Sequence, residues 1–103
     1  MAAAVVRGLG DPDWRPAEAC LRVAVRHELS GAAGPATLLV GHPLPRVRGQ
    51  AVRCLGVVGD TEHVDVVVGL LDDADPSVRR IAAGAVARVA RRLDRPDLER
   101  LLD

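Results

Sequence analysis

The sequence predicts an all-α protein, an α-solenoid of about three helical pairs plus a terminal half repeat. Three observations lead there. Apolar residues recur at helical spacing: Val78, Ile81, Ala82, Ala85, Val86, Val89 and Leu93 mark one face of an amphipathic helix. The start of that helix is punctuated, with Asp75 placed to cap it and Pro76 where a missing N–H costs nothing. The same pattern also returns along the chain. "VRGQAVRCLGVV" from Val47 and "VRRIAAGAVARV" from Val78 lie 31 residues apart, with four of twelve positions identical. A period of 31–33 residues holding two helices is the mark of a helical solenoid.

The units follow in order. Residues 1–30 hold a short first helix, the turn "GDPD" and a longer second helix. There "DPDWRPAEACLRVAV" from Asp11 matches "DPSVRRIAAGAVARV" from Asp75, and Trp14 takes the Val slot 33 residues before Val47. Residues 31–59 hold a weak helix near "PATLLV", the turn "GHPLP" and a second helix from Arg46 that closes at Gly59. Residues 60–94 are the best unit. Asp60 or Thr61 caps "EHVDVVVGLL", which is Val-rich enough to suit a strand, but its length, cap and following helix favour a helix. Residues 95–103, "RPDLERLLD", read as one more first helix with Leu98, Leu101 and Leu102 on one face. The N-terminal "AAAVV" is less polar, so the expected state is a monomer or an end-to-end homo-oligomer.

Composition bounds the class. A chain of 103 residues, 49% apolar and 27% charged, suits one soluble domain, residues 1–103. No run approaches the roughly 18–20 apolar residues of a membrane span. The short apolar N-terminus has no preceding basic residue and does not read as a secretory signal, so the expected location is cytoplasmic. All 14 basic residues are Arg and Trp14 is the only aromatic, a bias that GC-rich coding produces. Cys20 and Cys54 lie 34 residues apart with no CxxC pair, and their apolar helical neighbours predict buried structural thiols.

The segment "LLDDADPSVRRIAAGAVARVA" resembles a HEAT repeat, of the short bacterial variety called phycobilisome-lyase HEAT-like. Residues 60–94 carry the resemblance most clearly, followed by 41–59 and 1–30. The resemblance implies that the Val of each Val-Arg pair is core. It also implies that the Arg ties neighbouring units together through turn Asp residues and carbonyls. Arg48 and Arg79, with Asp72, Asp73 or Asp75, would then be structural, and Arg15 would be a third member. Second helices in such solenoids line a concave face. The resemblance implies a fold and no particular function.

Charge distribution points to a binding role. Net charge is zero, yet residues 60–75 carry six acids and no Arg, while residues 78–93 carry five Arg and no acid. On helical geometry Arg80, Gly84, Arg88 and Arg91 share a stripe opposite Val78 and Ile81, with Arg53 and Arg22 on adjoining stripes. Arg22, Arg53, Arg80, Arg88 and Arg91 are therefore the expected contacts for an acidic or mixed-charge protein partner. The helix macrodipole and inter-unit salt bridges are the competing account of the same segregation.

Catalysis is not expected. Some HEAT-like proteins hold a di-iron centre through several His-Glu dipeptides, but here His27-Glu28 stands alone, Glu62-His63 is reversed and His42 is isolated. That is too few ligands for a metal. Ser30 and Ser77 lack His and carboxylate neighbours, "GHPLPRVRG" lacks phosphate-loop spacing, and nothing matches a bilin-attaching residue. The expectation is a non-catalytic adaptor without metal or cofactor. One alternative is a nucleic-acid-associated solenoid, disfavoured by zero net charge, the lack of Lys and a single aromatic. Another is an accessory subunit of a biosynthetic or lyase-type enzyme.

Overall fold

A computed structural model describes residues 14–102, with side chains from Ala17 onward. Among the described residues every regular element is helical. In chain order these are α1 (Trp14–His27), α2 (Ala33–Leu39), α3 (Pro45–Val58), α4 (Val64–Gly69), α5 (Pro76–Arg92) and α6 (Pro96–Glu99). Single 3-10 turns, Ser30–Ala32, Thr61–His63, Leu70–Asp72 and Arg100–Leu102, extend the short helices. The N-terminal helix, the Asp11–Asp13 turn and the expected roles of the Trp14 and Arg15 side chains lie outside the described residues.

The three long helices pack side by side, α3 between α1 and α5, while α2 packs on α3 and both α4 and α6 pack on α5. This alternation of long and short helices is the paired-helix solenoid that the 31-residue period predicts. No described helix is long and apolar enough to cross a membrane.

Local chemistry explains the boundaries. Pro45, Pro76 and Pro96 each start a helix in the first turn, where no intrahelical N–H is lost. Asp75 accepts the Ser77 N–H at 2.8 Å and caps α5. Asp60 accepts the Thr61 N–H at 3.2 Å, and its own N–H donates to His63 Nδ1 at 2.8 Å. That reciprocal capping, with His in the usual Glu position, holds the Val-rich segment helical from Thr61 onward. At the other ends, α1 and α5 close in the same way. Leu29 N–H reaches Ala24 O at 3.0 Å and Arg95 N–H reaches Ala90 O at 2.8 Å, around Glu28 (φ 51°) and Asp94 (φ 53°). Both are Schellman closures with an acid where glycine is usual.

The core is built of small aliphatic residues. Leu21, Ala24, Ala36, Val47, Ala51, Val52, Leu55, Val67, Val78, Ala82 and Val86 are essentially inaccessible. Small side chains let α3 and α5 approach closely: a Cβ on Gly56 would sit 2.9 Å from the Cα of Ala85, inside van der Waals contact. Cys54 is buried in the core, and burial pushes its thiol up to about 11, out of reach of thiolate chemistry at neutral pH. Both cysteines are free, Cys54 buried as expected and Cys20 only half-buried.

One buried charge stands out. Glu18 is 4% exposed in α1, at the repeat position that Ala51 and Ala82 fill elsewhere. Arg46 at the start of α3 answers it, with Nε 2.9 Å from Oε2 and Nη2 donating to Oε1 at 3.0 Å. Arg22 adds a longer contact at 3.5 Å. A buried carboxylate requires such partners, so the first two units are joined by an ion pair in a slot the pattern assigns to Ala.

Candidate interaction groove

The long helices present a groove of about 610 Å³ on their open face. Each helix supplies part of it: Val25, Arg26 and Glu28 from α1 and its terminus, Arg53 and Val57 from α3, and Arg80, Ile81, Gly84, Ala85 and Arg88 from α5. The floor is apolar. Gly84 leaves open space, with nothing within 4 Å of where its Cβ would be. Four guanidinium groups and one carboxylate surround that floor.

Among the described residues, Arg26, Arg53, Arg80 and Arg88 have neither an ion pair nor a side-chain hydrogen bond. Guanidinium remains charged at any physiological pH and presents a planar fork matched to carboxylates. The groove is thus a permanently cationic, partly apolar surface with Glu28 as its single acid. Among the described residues no group of three or more His, Cys, Asp or Glu side chains is positioned to hold a metal ion.

The residues expected to line this face divide. Arg53, Arg80 and Arg88 meet in the groove. Arg22 lies in a separate shallow depression with Ala19, Val23, Arg26 and His27, and leans on Glu18. Arg91 is exposed but sits beyond the groove. Ile81, expected opposite the Arg stripe, instead belongs to the floor and is only half-buried. The reason is the neighbour: α3 crosses α5 so that Gly49 faces Ile81, a Cβ there lying 3.0 Å from Ile81 Cδ1. Arg26 was not anticipated; the Schellman turn after α1 brings the end of that helix to the groove.

The structural set is better defined. Arg48 donates from Nε to Asp73 Oδ2 and from Nη2 to Asp73 Oδ1, both at 2.9 Å, linking α3 to the turn before α5. Its Nη1 donates to the carbonyls of His42 and Pro43 at 2.9 and 3.0 Å. The Arg48 fork holds the Asp73 carboxyl below its usual range, assisted by the Asp75 N–H at 2.9 Å. Arg79 repeats the carbonyl bonds, to Asp73 and Ala74 at 2.7 and 3.2 Å. Asp75 acts as a helix cap. The inter-unit role falls to Asp73 and not to Asp72, which is exposed and without a polar partner among the described residues. Arg92 adds an unanticipated tie: Nε reaches Gly56 O at 3.0 Å and Nη2 reaches Gly59 O at 2.8 Å. It satisfies carbonyls at the C-terminus of α3, where cations are favoured. Its place in an Arg-rich helix end was the only sequence signal, and that signal does not name the acceptors.

With this geometry in place, comparison with known families finds that the family of HEAT repeats matches residues 33–103. Among curated proteins, nothing matches the chain.

Proposed function

The chain belongs to the HEAT-repeat family, whose members are generally protein-interaction modules, and from that premise we propose that it is a non-catalytic adaptor. Its long-helix groove holds an acidic or mixed-charge protein partner. The observation that carries this reading is the set of Arg26, Arg53, Arg80 and Arg88, unneutralised around an apolar floor while the whole chain is charge-neutral. Exposed, unpaired Arg beside an apolar floor is suited to anchoring a partner carboxylate. The apolar floor, zero net charge and the single aromatic favour a protein over nucleic acid.

The test is a native-lysate pull-down with wild type and two variants whose helical signal and melting are first matched to it. Arg80→Glu/Arg88→Glu reverses the charge, and Gly84→Trp fills the groove while leaving every Arg in the sequence. Loss of the same partner from both variants is the expected result. Identical partners on all three proteins would refute the reading. Binding to duplex DNA that weakens steeply with salt would replace it with the nucleic-acid alternative.

A further inference from the structure

Along α5 the groove has a regular spacing. Arg80, Gly84 and Arg88 follow at four-residue steps, and all three are exposed and line the groove. At 1.5 Å of rise per residue, Arg80 and Arg88 start about 12 Å apart along the helix, with Gly84 midway. Gly84 opens a recess: nothing lies within 4 Å of where its Cβ would be, and Val57, Ile81 and Ala85 line the groove beside it. Gly49 and Gly56 are accounted for by close helix contacts, whereas no neighbour requires glycine at position 84. Two guanidinium forks thus flank one apolar recess, and neither Arg has a polar partner among the described residues. Every lining residue lies between Val25 and Arg88, within the three packed long helices and the turn after α1.

The other walls restrict the charge of an occupant. Arg53 on α3 adds a cation, whereas Glu28 after α1 is the single acid. Carboxylates are therefore favoured over α3 and α5 and opposed beside Glu28, which suits a segment with a few placed acids better than a uniformly acidic one. An extended chain matches the α5 spacing. Its residues i, i+2 and i+4 point to one face, and i to i+4 spans about 13 Å at about 3.3 Å per residue.

We propose that the groove receives an extended segment of the partner protein with the pattern acid-x-apolar-x-acid, laid along α5. Its two carboxylates close the forks of Arg80 and Arg88, and the apolar side chain between them enters the recess at Gly84. This specifies the occupant of the long-helix groove and rests on the adaptor reading. A helical segment is the poorer occupant. With its side chains a helix is about 10–12 Å across and buries an apolar stripe more than about 100° wide. The groove offers it only Val25, Val57, Ile81 and Ala85, spread over three helices.

The test measures fluorescence anisotropy of labelled peptides titrated with the full chain at physiological salt. The parent peptide carries Asp-Thr-Leu-Thr-Asp between Ser-Gly flanks. A second holds the same residues with the two Asp adjacent, and a third sets Asp, Leu and Asp four residues apart on an Ala-rich helical frame. The parent is expected to bind about tenfold more tightly than either. Arg80→Met and Arg88→Met should each weaken it about tenfold. On each variant, replacing one of the two Asp by Asn should cost nothing further, a different Asp for each Arg. On Gly84→Leu, the parent and a peptide with Ala in place of Leu should bind equally. No binding by the parent, no preference for its spacing, tightest binding by the helical peptide, or binding indifferent to Arg80 and Arg88 would overturn the proposal. If Arg80→Glu/Arg88→Glu still loses its lysate partner in that event, the adaptor reading stands and only the extended pattern falls.

Discussion

Arg48 and Arg80 occupy neighbouring stripes of equivalent helices, and their surroundings differ completely. Around Arg48, at the turn edge, each guanidinium nitrogen has an acceptor: two carbonyls and both oxygens of Asp73. Around Arg80, in the groove, there is no acceptor among the described residues. The charge segregation visible along the chain is thus two populations superimposed. One holds repeats together through pairing with backbone and Asp, and the other faces outward around an apolar floor. α5 contains both, because Arg79 and Arg92 engage carbonyls while Arg80 and Arg88 do not. Reach to a backbone carbonyl, for Arg79 in the turn before α5 and for Arg92 at the end of α3, and not membership of an Arg-rich helix, separates the two roles.

The comparison breaks first at the ion pair. Arg48→Met should lower unfolding free energy by about 2–3 kcal/mol in denaturant titration, since it leaves Asp73, 8% exposed, without its fork. Arg80→Met should change it by no more than about 0.5 kcal/mol. Equal effects would erase the distinction.

The pH dependence sharpens the same contrast. Asp73 is depressed in the folded state, first by the Arg48 hydrogen bonds. Its contribution is therefore complete above the ordinary carboxylate value of about 3.9 and is lost as pH falls below that through the depressed folded value. Denaturation midpoints for wild type and Asp73→Asn should converge between about pH 4 and the acid limit. A gap that persisted unchanged into acid would show that Asp73 acts through packing alone.

Two glycines give a smaller contrast. Gly56→Ala forces a Cβ into Ala85 and should cost about 1–2 kcal/mol net, overpacking outweighing the gain in helix propensity. Gly84→Ala meets nothing and should gain up to about 1 kcal/mol. Thermal melts of the two variants should therefore move in opposite directions. The smallest effect is at the closure of α5, where Asp94→Gly should stabilise by about 0.5–1 kcal/mol by relieving a positive φ in a residue with a Cβ.

Several features were legible without coordinates because they are local. The Asp75 cap, the Pro starts, the 31-residue period and the core face of α5 each depend on residues within a few turns of one another. Arg53, Arg80 and Arg88 were legible as an outward stripe for the same reason. Family membership was legible as well, in the Asp-Pro-x-Val-Arg turn and the small residues after it.

Tertiary structure alone decided which partner each side chain meets. Arg46 reaches a buried Glu18 across 28 positions, Arg92 seals the end of α3 across 36, and Ile81 joins the groove floor although its helical phase suggested the opposite face. The physical reason is that periodicity defines directions around one helix axis. The identity of the atom waiting in each direction depends on how neighbouring axes cross and on the volumes between them. Here those volumes are set by glycine and alanine contacts, so a single Cβ at Gly56 is enough to change what the long helices can bring together.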